Sequence, residues 1–518
     1  MLRNLLTVGG WTMLSRLLGL VRDQLLAIFL GAGPLQDAYQ IAFRLPNMFR
    51  RLLGEGAFNA AFLPLFAARY EQKGASNALK FAGQALTCLL TLLVIFATIC
   101  EIFMPWVISF IAPGFKHGSS ERFMLAVSLT RVTMPYMVFI CAAALIAGIL
   151  NARRHFGAAA AAYVTFNIVG ISAIIFGAYV THNVALSSAW GITISGVVQL
   201  GALCWAAKKF NLLPHFAFPH FTPDIKILFK RMIPGLVGSG VTQLNLAIDT
   251  IIGTLLPTGS ISWLYFADRV NQLPLGVLGS ALGTTLLPLL TKHVVANDKT
   301  GMQASINKAF DYALILILPA SFGLIALAPL IMGGLFGYGH FTQKDIIYSA
   351  QSLQAFAIGL PAFVLIKLLA PAFFAQGDTA TPVKIGFVTL ALNLILNLLL
   401  YRPLAHIGPP LASALAGFTN LVIMGIILWR KDILLLTIYN IKRVGKISAA
   451  CIIMAVTIHL TYKFTLSGAL TWSPVPRIFS LFILIIGGAI FYGVLLIGFK
   501  LLNLKDIKAI LKRRLSKN

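Results

Sequence analysis

Fourteen runs of mostly apolar residues, distributed along the whole chain, constrain its fold more than any other feature. A helix crossing a bilayer needs about 20 such residues, because in hydrocarbon every backbone N–H and C=O must be satisfied within the segment. The runs fall at roughly 8–31, 36–66, 81–111, 123–150, 158–179, 185–207, 226–256, 262–290, 309–336, 346–375, 383–401, 408–429, 447–465 and 478–500. In a chain of 518 residues, that leaves no room for a soluble catalytic domain. Composition agrees, with 58% hydrophobic and 11% charged residues; about a quarter of a water-soluble globule is charged. The longest polar connection, roughly 208–224, has the size of a linker. The expected fold class is therefore an all-α polytopic membrane protein with 14 transmembrane helices.

Lysine and arginine number 41 against 15 acidic residues, a formal charge of +26. In a soluble protein that balance would suggest nucleic-acid binding, but here position decides otherwise. Of the 41 basic residues, 27 fall on the side that holds both termini, six on the other and eight inside spans. The six are Lys116, Arg122, Lys344, Arg402, Lys463 and Arg477. By the positive-inside rule both termini are cytoplasmic, and most of the charge is an orientation signal with no nucleic-acid partner implied. The first run is not a signal peptide, because Arg16, Arg22 and Asp23 interrupt it. The five cysteines all sit in apolar spans without a CxxC pair and read as packing residues.

The acidic residues argue against an enzyme. An intramembrane enzyme acting on lipid diphosphates usually clusters carboxylates around a divalent metal, yet the two closest acids, Asp298 and Asp311, are thirteen positions apart. No HExxH and no histidine pair at i, i+4 occurs among the nine histidines.

Lysine and arginine cost about 2.5 to 3.5 kcal/mol each at the centre of a span, so intramembrane charges normally face protein or a water-filled cavity. The first span carries Arg16, Arg22 and Asp23. Along the second, Asp37, Gln40, Arg44, Asn47, Arg51 and Glu55 form a stripe at helical spacing. Pro46 predicts a kink that rotates the lower half and brings Arg50 into line instead of Arg51. The pattern returns in spans seven and eight, with Thr242, Asn245 and Asp249, then Ser262, Tyr265, Arg269 and Gln272, with Asp268 beside Arg269.

A shift of 225 residues lays Ala42 on Ala267, Arg44 on Arg269 and Gly54 on Gly279. The expected organisation is two six-helix lobes in parallel pseudo-repeat plus a C-terminal helix pair: residues 1–222, 223–436 and 437–518 with a basic tail. Spans 1, 2, 7 and 8 would line a substrate site between the lobes. Several guanidiniums among apolar helices suit an anionic head, and arginine suits phosphate because its planar fork binds two oxygens at once. The plainer reading is that these arginines only pair with local acids, although buried ion pairs gain little over apolar packing.

At Ser15–Asp23, SRLLGLVRD, and above all at Arg44–Phe66, RLPNMFRRLLGEGAFNAAFLPLF, the chain resembles the MurJ/MviN family of lipid II flippases in the MOP exporter superfamily. The run Ala267–Leu290, ADRVNQLPLGVLGSALGTTLLPLL, and Leu365–Ile385, LIKLLAPAFFAQGDTATPVKI, are similar to the same family. The resemblance implies transport of undecaprenyl-diphosphate-linked peptidoglycan precursor (lipid II) from the cytoplasmic to the periplasmic leaflet of a bacterial inner membrane. It implies roles in cell wall biogenesis and cell shape, a cationic central cavity between two lobes, and a groove at spans 13 and 14 for the polyprenyl tail. The peptidoglycan synthesis machinery and membrane lipids would be its partners. Carried over by position, the substrate-binding residues are Arg16, Arg22, Asp37, Asn47, Arg50, Arg269 and Lys367, with Asp23, Arg51 and Asp268 as adjacent candidates. Gln272 departs from a pattern that places glutamate there in some members, so hydrogen bonding replaces a titrating carboxylate at that point.

The diphosphate head cannot cross about 30 Å of hydrocarbon cheaply, whereas the tail already resides there. Alternating access with the head held by arginines is the expected mechanism, with no ATP motif and no cofactor. Sodium or the membrane potential would supply coupling, the potential at about 2.3 kcal/mol per charge per 100 mV. Asp249 with Asn393 and Asn397 could hold sodium through oxygen ligands; hydrogen bonding between helices is the favoured reading of these three. Lys505 to Lys517 reads equally as an amphipathic surface helix or an orientation anchor. The alternative functions are export of another lipid-linked oligosaccharide or of drugs or cations by the same superfamily. A cation exporter should carry net acidic residues where this chain carries arginines.

Overall fold

The computed structural model describes residues 2–52, 58–118, 120–215, 217–434, 438–466 and 468–501. Gly54, Glu55, the side chain of Thr242 and the tail from Lys505 to Lys517 lie outside the described residues. All regular structure among the described residues is helical. The helices run in order α1 (Leu2–Leu30), α2 (Pro34–Phe49), α3 (Phe58–Ile102), α4 (Met104–Ile111), α5 (Pro113–Gly118), α6 (Ser120–Thr133), α7 (Tyr136–Ala152), α8 (Phe156–Tyr179) and α9 (Val184–Lys209). They continue as α10 (Pro223–Thr254), α11 (Ser260–Val295), α12 (Lys299–Phe336), α13 (Gln343–Ala375), α14 (Ala380–Leu404), α15 (Gly408–Arg430), α16 (Ile438–Thr465) and α17 (Pro474–Gly498).

Nine segments among the described residues are long and apolar enough to cross a membrane, and one of them, Ala380–Arg430, contains both α14 and α15. The helices α1, α2, α10 and α11 are not among the nine. These are the four that the sequence marks as carrying charged stripes.

Local chemistry sets the breaks. Gly74, at φ +81°, interrupts α3 and separates the end of the second run from the third; a residue with a side chain rarely adopts that conformation. Pro135 separates α6 from α7 within what the sequence presents as one run. A π turn at residues 50–52 follows Pro46 in α2, whose missing N–H leaves one helical hydrogen bond unmade. Helix starts are capped by side chains: Asn183 on α9, Thr222 on α10, Asp298 on α12, and a reciprocal Thr342–Asp345 capping box on α13.

The chain divides into two compact units, Met1–Ser262 with Tyr338–Phe341, and Trp263–Gly337 with Thr342–Asn518. In the first, α8 packs on α1 and α9, α2 on α6, and α7 on α3 and α9. Phe58, Phe62, Phe66 and Phe81 form a stacked aromatic ladder with centroids 5.3 to 5.8 Å apart. The expected division at 222/223 follows the sequence repeat, whereas packing keeps α10 with the helices before it, on α3, α4 and α5. The connector between α9 and α10 lies back along α3: a Cβ at Gly83 would overlap the His215 carbonyl oxygen, and the Cys88 thiol lies 3.7 Å from the His220 carbonyl.

In the second unit α13 packs between α12 and α15, and α14 lies on α15. The helices α16 and α17 pack on each other and on α12. Arg477, at the start of α17, closes the end of α12: it donates to the carbonyls of Gly333 at 3.1 Å, Gly337 at 2.9 Å and Trp472 at 2.7 Å. Gly333 and Gly337 belong to the end of α12 and Trp472 to the connection before α17, so one guanidinium ties the two together.

Candidate functional site

In the first unit, α1, α2 and the turn that ends α2 carry six arginines and two aspartates in surroundings that are otherwise largely apolar. Arg16 is exposed, and no partner holds its guanidinium among the described residues. Arg22 is buried and donates to its neighbour Asp23 from Nη2 at 2.8 Å and Nε at 3.2 Å. Its guanidinium also lies over the rings of Phe166 and Phe43, at 5.1 and 5.9 Å, and these two rings stack on each other. Gly170 on α8 leaves space for the Arg22 stem, since a Cβ there would sit 3.0 Å from Cδ. A planar cation suits this slot in a way an ammonium would not.

The π turn after Pro46 sorts the adjacent pair. Arg50 is half-buried and donates from Nε to Asn47 Oδ1 at 2.9 Å, while Arg51 is exposed. Arg44 is half-buried on the same helix. Arg50 and Asn47 are thus brought together as one polar pair.

Asp37 is 1% exposed. One carboxylate oxygen accepts the Gly259 N–H at 2.7 Å; the other accepts the Ser262 N–H at 3.0 Å and the Ser262 hydroxyl at 2.6 Å. Arg122 of α6 stands 3.8 Å away, with its guanidinium over Phe115. The carboxylate therefore caps the first turn of α11, where unpaired amides and the helix dipole both favour an anion. In this structure Asp37 positions the chain around it and offers no surface to a substrate. Arg122 is a residue the sequence reading assigned to an outer connection; its burial at 5% makes it the partner of Asp37.

The second unit holds all but one of the remaining residues. Asp268 and Arg269 are half-buried on α11, and Gln272, one turn on, donates to Asp268 Oδ1 at 3.2 Å. Lys367 on α13 is exposed, and its stem lies over Gly279: a Cβ there would meet Lys367 Cδ at 2.7 Å. Asn393 and Asn397 of α14 are fully buried, and Asn397 Nδ2 donates to Asn393 Oδ1 at 2.7 Å. Asp249 is half-buried on α10 in the first unit. No cluster of three or more His, Cys, Asp or Glu suited to a metal occurs among the described residues.

The chain matches the protein-family model described as lipid II flippase MurJ over residues 26–480. The probable lipid II flippase MurJ of Rickettsia prowazekii (strain Madrid E) is 39% identical over 413 residues, covering 79% of this chain and 80% of that protein. A solved structure of lipid II flippase MurJ in an inward closed conformation superposes with a TM-score of 0.80 at 26% identity, covering 95% of this chain and 98% of that one. An inward-facing multidrug resistance MATE family transporter of the MOP superfamily shares the fold, with a TM-score of 0.68 at 15% identity over 82% of this chain and 98% of its own.

Proposed function

We propose that this chain, which belongs to the lipid II flippase MurJ family, carries lipid II from the cytoplasmic to the periplasmic leaflet of a bacterial inner membrane by alternating access. The family is one of transporters. The observation that carries the mechanism is the placement of guanidiniums along helices outside the nine apolar segments: Arg16 and Arg22 on α1, Arg50 in the turn that ends α2 and Arg269 on α11. Counting α14 and α15 separately and adding the four charge-bearing helices to the nine apolar segments gives fourteen spans, with both termini cytoplasmic.

Bringing a diphosphate into the membrane leaves its charge without water, a cost of many kcal/mol unless charged donors replace the lost hydration. Exposed Arg16 supplies a first contact, and Arg269 and Lys367 supply cations from the second unit at some stage of the cycle. Arg22 can exchange Asp23 for phosphate, so that Asp23 competes with the head group and limits how tightly it is held. Asn47, Arg50, Arg51, Asp268 and Gln272 add hydrogen bonds to phosphate, sugar or peptide, and Asp37 holds the start of α11. An inside-negative potential drives the anionic head outward. Asp249, Asn393 and Asn397 remain the residues to examine for sodium coupling, and the enzymes of peptidoglycan synthesis are the expected partners.

The test is lipid II exposed at the periplasmic face after replacing the chromosomal copy with Arg16→Ala, Arg22→Ala or Arg269→Ala. Loss of exposure at normal protein level is expected for each. Unimpaired export in all three would reject the assignment of these arginines.

A further inference from the structure

The connector between α9 and α10 is fixed to the first unit at several points. Phe210 stacks on the His155 ring at 3.8 Å, the His215 carbonyl occupies the place a Cβ would take at Gly83, and the Cys88 thiol lies 3.7 Å from the His220 carbonyl. Phe221 packs against Phe229 at 6.1 Å, and Arg69 pairs with Asp224 at the far end. Two large apolar side chains of this strap remain open all the same: Phe218 is 73% exposed and Phe221 62%.

Two neighbouring helices set the level of the strap in a bilayer. On α3, Cys88, Leu92, Ile95 and Ile99 share one face. The last three are exposed and apolar, whereas Cys88, beneath His220, is buried. The strap therefore covers the first turns of a face that meets lipid from Leu92 onward. On α9, Trp190, Ile194, Val197 and Trp205 form an exposed stripe, and exposed Lys208 and Lys209 continue it by one turn. Tryptophan followed by lysine on a lipid-facing stripe marks the boundary between hydrocarbon and head groups, and the strap starts at the next residue.

The backbone keeps the strap at that boundary. Irregular chain immersed in the hydrocarbon core would lack hydrogen-bond partners, while head groups and water supply them at the surface. Pro214 and Pro219 carry no N–H, so two of the donors that would need such partners are missing. We propose that residues 213–221 anchor the protein in the surface of the leaflet on the Lys208 side, which is the cytoplasmic one in the proposed orientation. The rings of Phe218 and Phe221 lie among the acyl chains, and Lys208 and Lys209 meet the phosphates of anionic lipids. Two adjacent ammonium groups in this layer are the complement of a negatively charged leaflet surface.

The experiment uses the full-length chain in nanodiscs of equal parts phosphatidylglycerol and phosphatidylcholine, without lipid II, so its outcome does not depend on the transport assignment. Benzoylphenylalanine replaces Phe218 or Phe221. The same photoreactive side chain at Ile95, on the lipid face of α3, and at exposed Glu71, before the apolar run, sets the upper and lower limits. Phospholipid adducts, read from the mass of the intact protein, should match the Ile95 yield at both strap positions and exceed the Glu71 yield several-fold. Phosphatidylglycerol should outnumber phosphatidylcholine in these adducts by about fivefold, the factor that corresponds to about 1 kcal/mol for a basic residue at an anionic surface. Lys208→Gln/Lys209→Gln should bring that ratio to one. Strap yields at the Glu71 level, cross-links only within the chain, a parental ratio near one, or a ratio unchanged in the double variant would each overturn the proposal. So would a second protein captured at Phe218 in place of phospholipid when native membranes are irradiated.

Discussion

The carboxylate of Asp37 accepts both the amide and the hydroxyl of Ser262, a residue 225 positions later in the chain. That separation is the same 225 residues that lay Arg44 on Arg269 in the sequence. An anion on α2 thus caps the start of α11. Removing the carboxylate orphans two buried amides and takes away the acid that faces Arg122. Asp37→Ala should therefore destabilise the protein by about 2 to 4 kcal/mol, and Ser262→Ala by about 1.5 to 3. Thermal unfolding of the purified full chain in detergent measures both; a parental midpoint for Asp37→Ala would refute the capping role.

Arg16 and Arg22 differ in what surrounds them, which predicts different tolerance to lysine. Arg22 makes a two-nitrogen contact with Asp23 and lies over two rings, and an ammonium reproduces neither. Lipid II export should fall with Arg22→Lys nearly as far as with Arg22→Ala. At exposed Arg16, lysine keeps the charge and should retain most of the export that alanine loses. Equal behaviour of the two lysine variants would contradict this distinction.

Gly279 makes room for the stem of Lys367. Gly279→Leu should push that side chain off α11, and Gly279→Ala should do so more weakly. The readout is the rate at which an amine-reactive reagent modifies Lys367, compared with export by the same variants. Unchanged modification by both variants would show that the glycine does not position the lysine.

Asp378, in the connection between α13 and α14, accepts the Thr381 amide at 3.0 Å and hydroxyl at 2.8 Å, and Lys431 lies 3.2 Å away. These contacts, the Thr381 bonds foremost, hold its carboxyl below the ordinary range. A depressed value means that the stabilisation is complete above the unfolded pKa of about 3.9 and is lost only as pH falls through the folded one. Asp378→Asn should lower the unfolding midpoint equally at pH 5 and pH 8 and converge with the parent only in stronger acid. A deficit that grows between pH 5 and pH 8 would assign the effect to another group.

Much of this architecture is legible without coordinates because hydrocarbon leaves the backbone few choices. Helix positions follow from apolar runs, and Pro46 foretells the turn that separates Arg50 from Arg51. The role of Arg122 is not legible, because an arginine at a span end looks like any orientation signal until a partner from α2 buries it. Pro135 breaks a run whose hydropathy is continuous, so periodicity alone reads straight through it. Asp37 shows the converse: its stripe marks it as special, but only distant amides reveal that it serves a helix end. Residues that act through their neighbours in space leave the weakest trace in a single sequence.

The glycine at position 83 carries a mechanical implication. With a backbone carbonyl seated against its bare Cα, α3 has no side chain at that point to act as a spacer. Any tilt of α3 must drag the strap leading into α10, and any pull on the strap must return to α3. A methyl group introduced at 83 would uncouple that linkage at one spot, converting a joint into a gap.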